Sequence, residues 1–331
     1  MNVLITGGTG FIGSRLALRC VAQGQSVRVL AQQNTAAERQ NCRELAEKGI
    51  EIVEGSVTDL AAMRQATQGI GVVYHFAAAQ HEAAAGDQHF YDVNVNGTRN
   101  ALQAGIDCGV KRFVHGSTIG VYGTSRREPI HDHSPPKPDN IYGITKLEAE
   151  KAVHSLEDRL PCTIVRISEA YGPGDRRLLK LFRGVQKRRF LLIGPCTNLH
   201  HVVYIDDLID GLQLAATVDQ AVGKTFVLAG PRAVSTRDMA RIVGRALGVR
   251  GPRFTVPIWP FWLAALVMEK TLAPLGISPP LHRRRMNFFV RNFAFSCDAA
   301  REFLAYDPKV QFEQGAHQTA QWYRQMGLLA Q

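Results

Sequence analysis

The stretch Thr6-Gly7-Gly8-Thr9-Gly10-Phe11-Ile12-Gly13 constrains what this chain can fold into more than any other segment. It follows the apolar run Val3-Leu4-Ile5 directly and leads into a helix-length segment. Gly7, Gly10 and Gly13 have the spacing of a dinucleotide-binding turn, and each has its own task. Gly7 permits the tight turn, Gly10 lets the backbone approach a pyrophosphate, and Gly13 lets helix and strand pack closely. The helix opening at Phe11 and Ile12 then offers free N–H groups and a positive dipole end to the phosphates. A lone glycine pattern is weak evidence. The strand before it and the helix after it make this one a dinucleotide site.

Short runs rich in Val, Ile and Phe at 2–6, 27–31, 51–53, 71–76, 112–117 and 163–167 alternate with helix-length segments. That alternation predicts an α/β fold, a Rossmann-type doubly wound parallel sheet with helices on both faces. At Tyr171-Gly172-Pro173-Gly174-Asp175 a turn cluster breaks the pattern. A basic amphipathic stretch, Leu178 to Arg189, follows it. The expected division is a dinucleotide-binding domain over 1–170, with returns at about 200–230, and a smaller, mostly helical substrate lobe from 171–199 and 231–331. Trp259 to Met268 is almost wholly apolar before Glu269-Lys270 interrupts it, too short to span a bilayer. It is either a core helix of the small lobe or a lid that touches lipid or an apolar substrate.

A chain of 331 residues buries a large core without metals or disulfides. Its six cysteines form no CxxC pair and no cluster with histidine, so no metal site is expected. The net charge of +10 asks for an anionic partner or a solvated surface. The densest basic runs are Arg176-Arg177, Lys187-Arg188-Arg189 and Arg283-Arg284-Arg285. None sits in a module with stacking aromatics, which argues against nucleic acid. Solvated helix faces and an anionic membrane surface are the two remaining readings. No charged segment precedes an apolar one at the N-terminus, so the expected location is the cytoplasm, with peripheral contact at the inner membrane surface left open.

The second strand, Val27-Arg28-Val29-Leu30, puts the residue that reads the adenosine ribose at Ala31 or Gln32. An acid there favours NAD and an arginine favours the NADP phosphate. Gln32 is neither, and Arg39 is a second candidate for a phosphate, so the cofactor is NAD(P) with its preference undetermined. Tyr142 and Lys146 stand four apart at the start of a helical stretch and share a face. A lysine beside the phenol, together with a cationic nicotinamide ring, lowers a tyrosine pKa from near 10 and fits it for acid–base work. The strand Lys111-Arg112-Phe113-Val114-His115-Gly116-Ser117-Thr118 ends in hydroxyls that can hold a substrate oxygen in line with that tyrosine.

These residues resemble the extended short-chain dehydrogenases, which include sugar-nucleotide epimerases and 3β-hydroxysteroid dehydrogenases. The resemblance runs nearly end to end. It rests on TGGTGFIG at 6–13, Tyr74-His75-Phe76-Ala77-Ala78, Asn94-Val95-Asn96-Gly97-Thr98, VYG at 121–123, YGITK at 142–146 and YGPGD at 171–175. It implies a catalytic group of Thr118, Tyr142 and Lys146, because the family's hydroxyl stands three residues before the Val of VYG. It also implies Val57, Ala77, Ala78 and Asn94 as cofactor neighbours, beside Gly7, Gly10, Phe11, Ile12, Gly13 and Gln32, with Tyr142 and Lys146 also at the cofactor and Lys146 on the nicotinamide ribose. Ser56 stands where the family often has an acid for the adenine. The dehydratase pair Asp-Glu is replaced by Ile119-Gly120, which argues against sugar dehydration. Where epimerases carry a diphosphate-gripping arginine this chain has His200, and a neutral histidine is a poor clamp.

Ile193-Gly194 and Asn198-Leu199-His200-His201-Val202-Val203-Tyr204-Ile205-Asp206-Asp207 are similar to a stretch of the sterol-4-carboxylate 3-dehydrogenases. Pro260-Phe261-Trp262-Leu263-Ala264 and Phe295-Ser296-Cys297-Asp298-Ala299-Ala300-Arg301 are similar to those enzymes' tail. The resemblance therefore implies oxidation of a sterol 3β-hydroxyl, with loss of CO2 where C4 bears a carboxylate. The alternatives are an NDP-sugar 4-epimerase or 4-ketoreductase, and a regulatory Rossmann protein without turnover. The partner is in the first cases a small molecule, sterol-like or a nucleotide sugar, and a homodimer is compatible with all of them. Glu169 falls near the nicotinamide end, where contact with substrate and exposure to solvent are both open to it, and solvent is the expectation.

Overall fold

A computed structural model describes residues 2–80, 86–123, 130–272 and 283–330. The side chains of residues 36, 37 and 283–285 lie outside the description. The Arg283-Arg284-Arg285 cluster is thereby placed on a helix backbone, Arg283–Val290, and no further.

Every apolar run singled out above forms a strand: β1 (Asn2–Thr6), β2 (Ser26–Ala31), β3 (Glu51–Glu54), β4 (Val72–His75), β5 (Arg112–Thr118) and β6 (Cys162–Ile167). The later strands are β7 (Glu169–Tyr171), β8 (Leu192–Ile193), β9 (Leu199–His200), β10 (Val202–Tyr204), β11 (Thr225–Leu228), β12 (Val234–Ser235) and β13 (Thr255–Val256). Seven of them make one sheet in the order β3-β2-β1-β4-β5-β6-β11. All its pairings are parallel. Parallel sheets are covered on both faces, so their strands are apolar throughout. Accordingly all four residues of β4 and all six of β6 are buried. Leu16, Ala17 and Cys20 of the helix Phe11–Ala22 pack into one core cluster. Met63, Ala66, Ala101 and Leu102, from the helices Leu60–Thr67 and Gly97–Asp107, pack into the other.

Strand order reverses between β1 and β4, and a crevice at the carboxyl ends of such strands is where ligands bind in sheets of this kind. The expected return at 225–229 is β11, which hydrogen-bonds along β6. Outside the sheet, β7 pairs with β10, β9 with β12 and β8 with β13. The helix Trp259–Leu272 is not a core helix. Of its residues only Ala265 is buried, while Trp259 is 68% exposed and Leu263 55%.

Candidate active site

The glycine turn separates into residues the chain needs and one it does not. Gly7 has φ +68°, and a Cβ there would lie 2.8 Å from the Ala77 nitrogen. A Cβ at Gly13 would lie 2.4 Å from the Gly7 carbonyl oxygen. Gly10 has an ordinary φ of −79°, and its Cβ would meet only the Gly7 oxygen at 3.2 Å. Its missing side chain leaves space in front of the turn. Gly10 is the N-cap of the helix Phe11–Ala22, which has no side-chain cap and no acid in its first turn. That uncapped, positive helix end and the glycine cradle fit a dinucleotide pyrophosphate. Gly10→Ala should therefore fold with a melting temperature close to wild type yet lose at least tenfold in NAD affinity, as calorimetry would show. Unchanged affinity would remove the pyrophosphate from that position.

Gly7, Gly10, Phe11, Ile12 and Gly13 line a cleft of about 260 Å³ that also holds Ala78, Thr118 and Tyr142. Thr118 ends β5 and caps the turn Ile119–Tyr122, its hydroxyl accepting from the Gly120 amide at 3.0 Å. Tyr142 opens the helix Ile141–His154, which starts where the Asn140 side chain accepts from the Gly143 amide at 3.1 Å. Burial pushes the Tyr142 phenol up to about 12, opposed by a hydrogen bond with Thr118 and by the Arg177 charge. Lys146 is buried, and loss of water pulls its ammonium down to about 8 against the pull of Glu150. Its Nζ lies 3.3 Å from Nε2 of His115, which burial and the lysine charge hold well below the usual histidine range. This corrects one expectation. Lys146 shares the helix face of Tyr142 but is turned toward β5 and His115, so the groups that favour phenolate are Thr118 and Arg177.

The other expected cofactor neighbours are dispersed. Gln32 stands exposed just past β2. Val57 is buried against Gly97, whose Cβ would meet it at 2.6 Å. The Ala77 amide donates to the Thr6 hydroxyl at 3.3 Å. Asn94 is fully buried and does not face the cleft. Its Oδ1 accepts from the Ala79 amide at 2.8 Å and its Nδ2 donates to the Thr145 hydroxyl at 2.9 Å. It ties the loop after β4 to the helix that carries Tyr142.

Under the catalytic residues lies a buried polar network that the sequence reading missed. Arg166 of β6 pairs with Glu150 at 2.7 Å, with both side chains under 10% exposed (7% and 2%). Ser117 donates to the same carboxylate, and Arg166 donates to the Tyr122 hydroxyl at 2.7 Å. Glu150 follows Lys146 by four residues, a spacing that signals a shared helix face.

A second cavity, of about 480 Å³, adjoins the first and shares Ala170 and Arg177 with it. Leu178, Leu181, Phe190, Val202, Met239, Phe288 and Phe289 make its wall largely apolar. Glu169 and His200 interrupt that wall. Glu169 is only partly open to solvent, with its side chain 34% exposed, and His200 Nδ1 donates to its carboxylate at 3.0 Å. The expectation of a neutral His200 fails for the same reason. Its Nε2 faces the Phe288 carbonyl at 3.1 Å and the Thr236 hydroxyl at 3.0 Å. A carboxylate on one nitrogen and a carbonyl on the other both favour a donating N–H, and so favour the imidazolium. Burial opposes that charge, and Glu169 outweighs the opposition.

The NAD dependent epimerase/dehydratase family model matches residues 3–229. A 3 beta-hydroxysteroid dehydrogenase/Delta 5→4-isomerase of Mycobacterium tuberculosis is 29% identical over 344 residues, covering 97% of this chain and 90% of that protein. A UDP-glucose 4-epimerase of Vibrio cholerae is 27% identical over 334 residues, covering 98% and 96%. Among solved structures, a dTDP-glucose 4,6-dehydratase double mutant from Streptomyces venezuelae, with NAD bound, superposes with a TM-score of 0.78 at 26% identity, covering 98% of this chain and 97% of that one. With well over half of its length matched by that family model, this chain belongs to the NAD dependent epimerase/dehydratase family of oxidoreductases.

Proposed function

We propose that this protein is an NAD-dependent dehydrogenase of a lipophilic secondary alcohol, a 3β-hydroxysteroid or a molecule of similar shape. The observation that carries this reading is the apolar cavity of about 480 Å³ that opens beside Tyr142's cleft. Its volume lies within the range of sites for molecules of that size, roughly 300–1,000 Å³. The hydroxysteroid relative supports the substrate class, and the NAD-bound relative supports NAD over NADP.

Gly7, Gly10 and Gly13 would hold the pyrophosphate, and the bound dinucleotide supplies the hydride acceptor. Thr118 and Tyr142 together hold the substrate oxygen. Tyr142 takes the hydroxyl proton as the alcohol is oxidised and returns it in the reverse direction. Lys146 supports the site's electrostatics from behind, between His115 and Glu150. A neutral substrate has no carboxylate to lose; loss of CO2 from a C4 carboxylate is a separate, narrower variant, which a 4-carboxylate probe set against a neutral one tests. The test is a side-by-side assay of NADH formation with 3β-hydroxysteroids and of C4 inversion with UDP-sugars, since an epimerase forms no net NADH. Turnover confined to the steroids supports the proposal, and turnover confined to the UDP-sugars overturns it. The second reading, an NDP-sugar 4-epimerase or 4-ketoreductase, draws on Arg177 and Lys180 at the cavity edge, two cations in reach of a diphosphate.

The same reading includes contact with an anionic lipid surface. Phe254 is 86% exposed, and Leu191 and Trp259 are exposed as well. Leu192 of β8 pairs with Thr255 of β13, so Leu191 and Phe254 each stand one residue before the paired positions, and Leu191 follows the exposed Lys187-Arg188-Arg189 by two residues. Phe190, one residue away, lines the apolar cavity. Apolar residues at the acyl boundary with cations at the head groups suit a peripheral enzyme, each cation contributing about 1 kcal/mol. Among the described residues no helix is long and apolar enough to cross a membrane. Sedimentation with phosphatidylserine vesicles should be salt-sensitive and should fall in Lys187/Arg188/Arg189→Ala. Absence of sedimentation at low salt would remove membrane contact from the account.

A further inference from the structure

The Glu169–His200 pair is unused by the chemistry above, yet it sits where the two cavities meet. Ser168 and Ala170, its neighbours on either side, line the dinucleotide cleft, while Glu169 itself lines the apolar cavity. His200 is buried, at 2% side-chain exposure, and the Glu169 side chain is 34% exposed. One carboxylate oxygen accepts from His200 Nδ1, and the imidazole is locked from its other side by the Thr236 hydroxyl and the Phe288 carbonyl. The Phe288 ring lies against the imidazole with centroids 4.5 Å apart. A carboxylate fixed in this way cannot swing away from a ligand. It stands in a wall of Leu178, Leu181, Val202 and Met239, where an unmatched polar group is costly.

We propose that Glu169, positioned by His200, determines substrate specificity by accepting a hydrogen bond from a donor next to the substrate's reacting carbon and by disfavouring an anionic group at that place. The argument rests on the apolar cavity being the substrate site. It selects a neutral lipophile that carries a hydroxyl or N–H beside the carbon being oxidised, over one with a carboxylate or diphosphate there. Arg177 and Lys180 stand at the same edge, and Arg177 is already paired with Asp175 at 3.1 Å. Glu169 is the one acidic side chain among the described residues that line the cavity, and it shares that lining with Arg177 and Lys180.

The test is equilibrium binding to the NAD-loaded protein of two probes on one skeleton: a 3β-hydroxysteroid bearing a 4-hydroxyl, and the same steroid bearing a 4-carboxylate. Wild type should prefer the 4-hydroxyl probe. In Glu169→Gln, which keeps the shape and removes the charge, affinity for the 4-hydroxyl probe should fall roughly tenfold, the effect of replacing a charge-assisted hydrogen bond by a neutral one. Affinity for the 4-carboxylate probe should rise in the same variant. Changes of opposite sign on the two probes are something a loss of folding or packing cannot produce. His200→Asn, which frees the carboxylate without removing it, should weaken the preference while NAD affinity stays unchanged. Equal shifts for both probes in Glu169→Gln, or no binding of either by wild type, would overturn the assignment. Failure of the broader reading alone has a different signature: the probes bind and shift in opposite directions in Glu169→Gln, but no NADH forms, whereas absence of binding removes both readings.

Discussion

Tyr142→Phe should lower the rate of alcohol oxidation by roughly 10²–10⁴-fold, the usual contribution of a positioned acid–base group, while NAD affinity stays within about twofold of wild type. The substitution removes one oxygen from a side chain that sits in the cleft within hydrogen-bond contact of Thr118. The ring remains, so the packing at the helix start and the Asn140 cap are untouched. Steady-state kinetics should show the loss in kcat rather than in KM, because the proton transfer is made in the transition state. A variant keeping more than about half of the wild-type kcat would remove Tyr142 from the chemistry. Lys146→Ala should be at least as damaging. It vacates a fully buried site between His115 and Glu150 and leaves that carboxylate with one cation fewer.

The second large effect is on stability. Glu150→Ala should lower the free energy of unfolding by about 3–5 kcal/mol, the range for breaking one side of a buried ion pair. Arg166 would keep only the Tyr122 hydroxyl and the Asp132 carbonyl, at 2.7 and 3.2 Å, and its charge would stay buried. Ser117 would lose its acceptor as well. Denaturant titration would show a lower midpoint at unchanged slope. The double variant Glu150→Leu with Arg166→Met should recover much of the loss, since an apolar pair of similar volume is often no worse than the ions it replaces. If Glu150→Ala unfolds at the wild-type midpoint, the network does not hold β5, β6 and the catalytic helix together.

Residues whose role depends on spacing within one or two adjacent elements were legible in the sequence. Gly7 and Gly13 are demanded by the backbone of a single turn, and Tyr142 and Lys146 by one helix face. The sheet was legible because strands buried on both faces read as unbroken apolar runs. Groups brought together by tertiary structure were not. Glu169 and His200 are 31 positions apart and meet only because β7 and β9 enclose the same cavity. Nothing in the composition of either segment marks them as partners. Arg166 was hidden inside an apolar run, and Glu150 was read past although it continues the Tyr142–Lys146 spacing by one more turn. The hydrogen bonds of Asn94 to Ala79 and Thr145 were likewise not legible, because they join separate elements. The helix Trp259–Leu272 carries apolar residues all round, so its pattern gave no inward face, and the structure leaves most of it at the surface.

The central claim is net oxidation of a lipophilic alcohol by Tyr142, and the most direct measurement follows the hydrogen that leaves carbon. A 3β-hydroxysteroid deuterated at C3 is incubated with NAD and the wild-type protein, and the nicotinamide and steroid products are weighed by mass spectrometry. The expected result is deuterated NADH formed in step with 3-ketosteroid, with both absent in Tyr142→Phe. Contradiction would be an unlabelled nicotinamide and unchanged steroid, alongside inversion at C4 of a UDP-sugar supplied to the same protein.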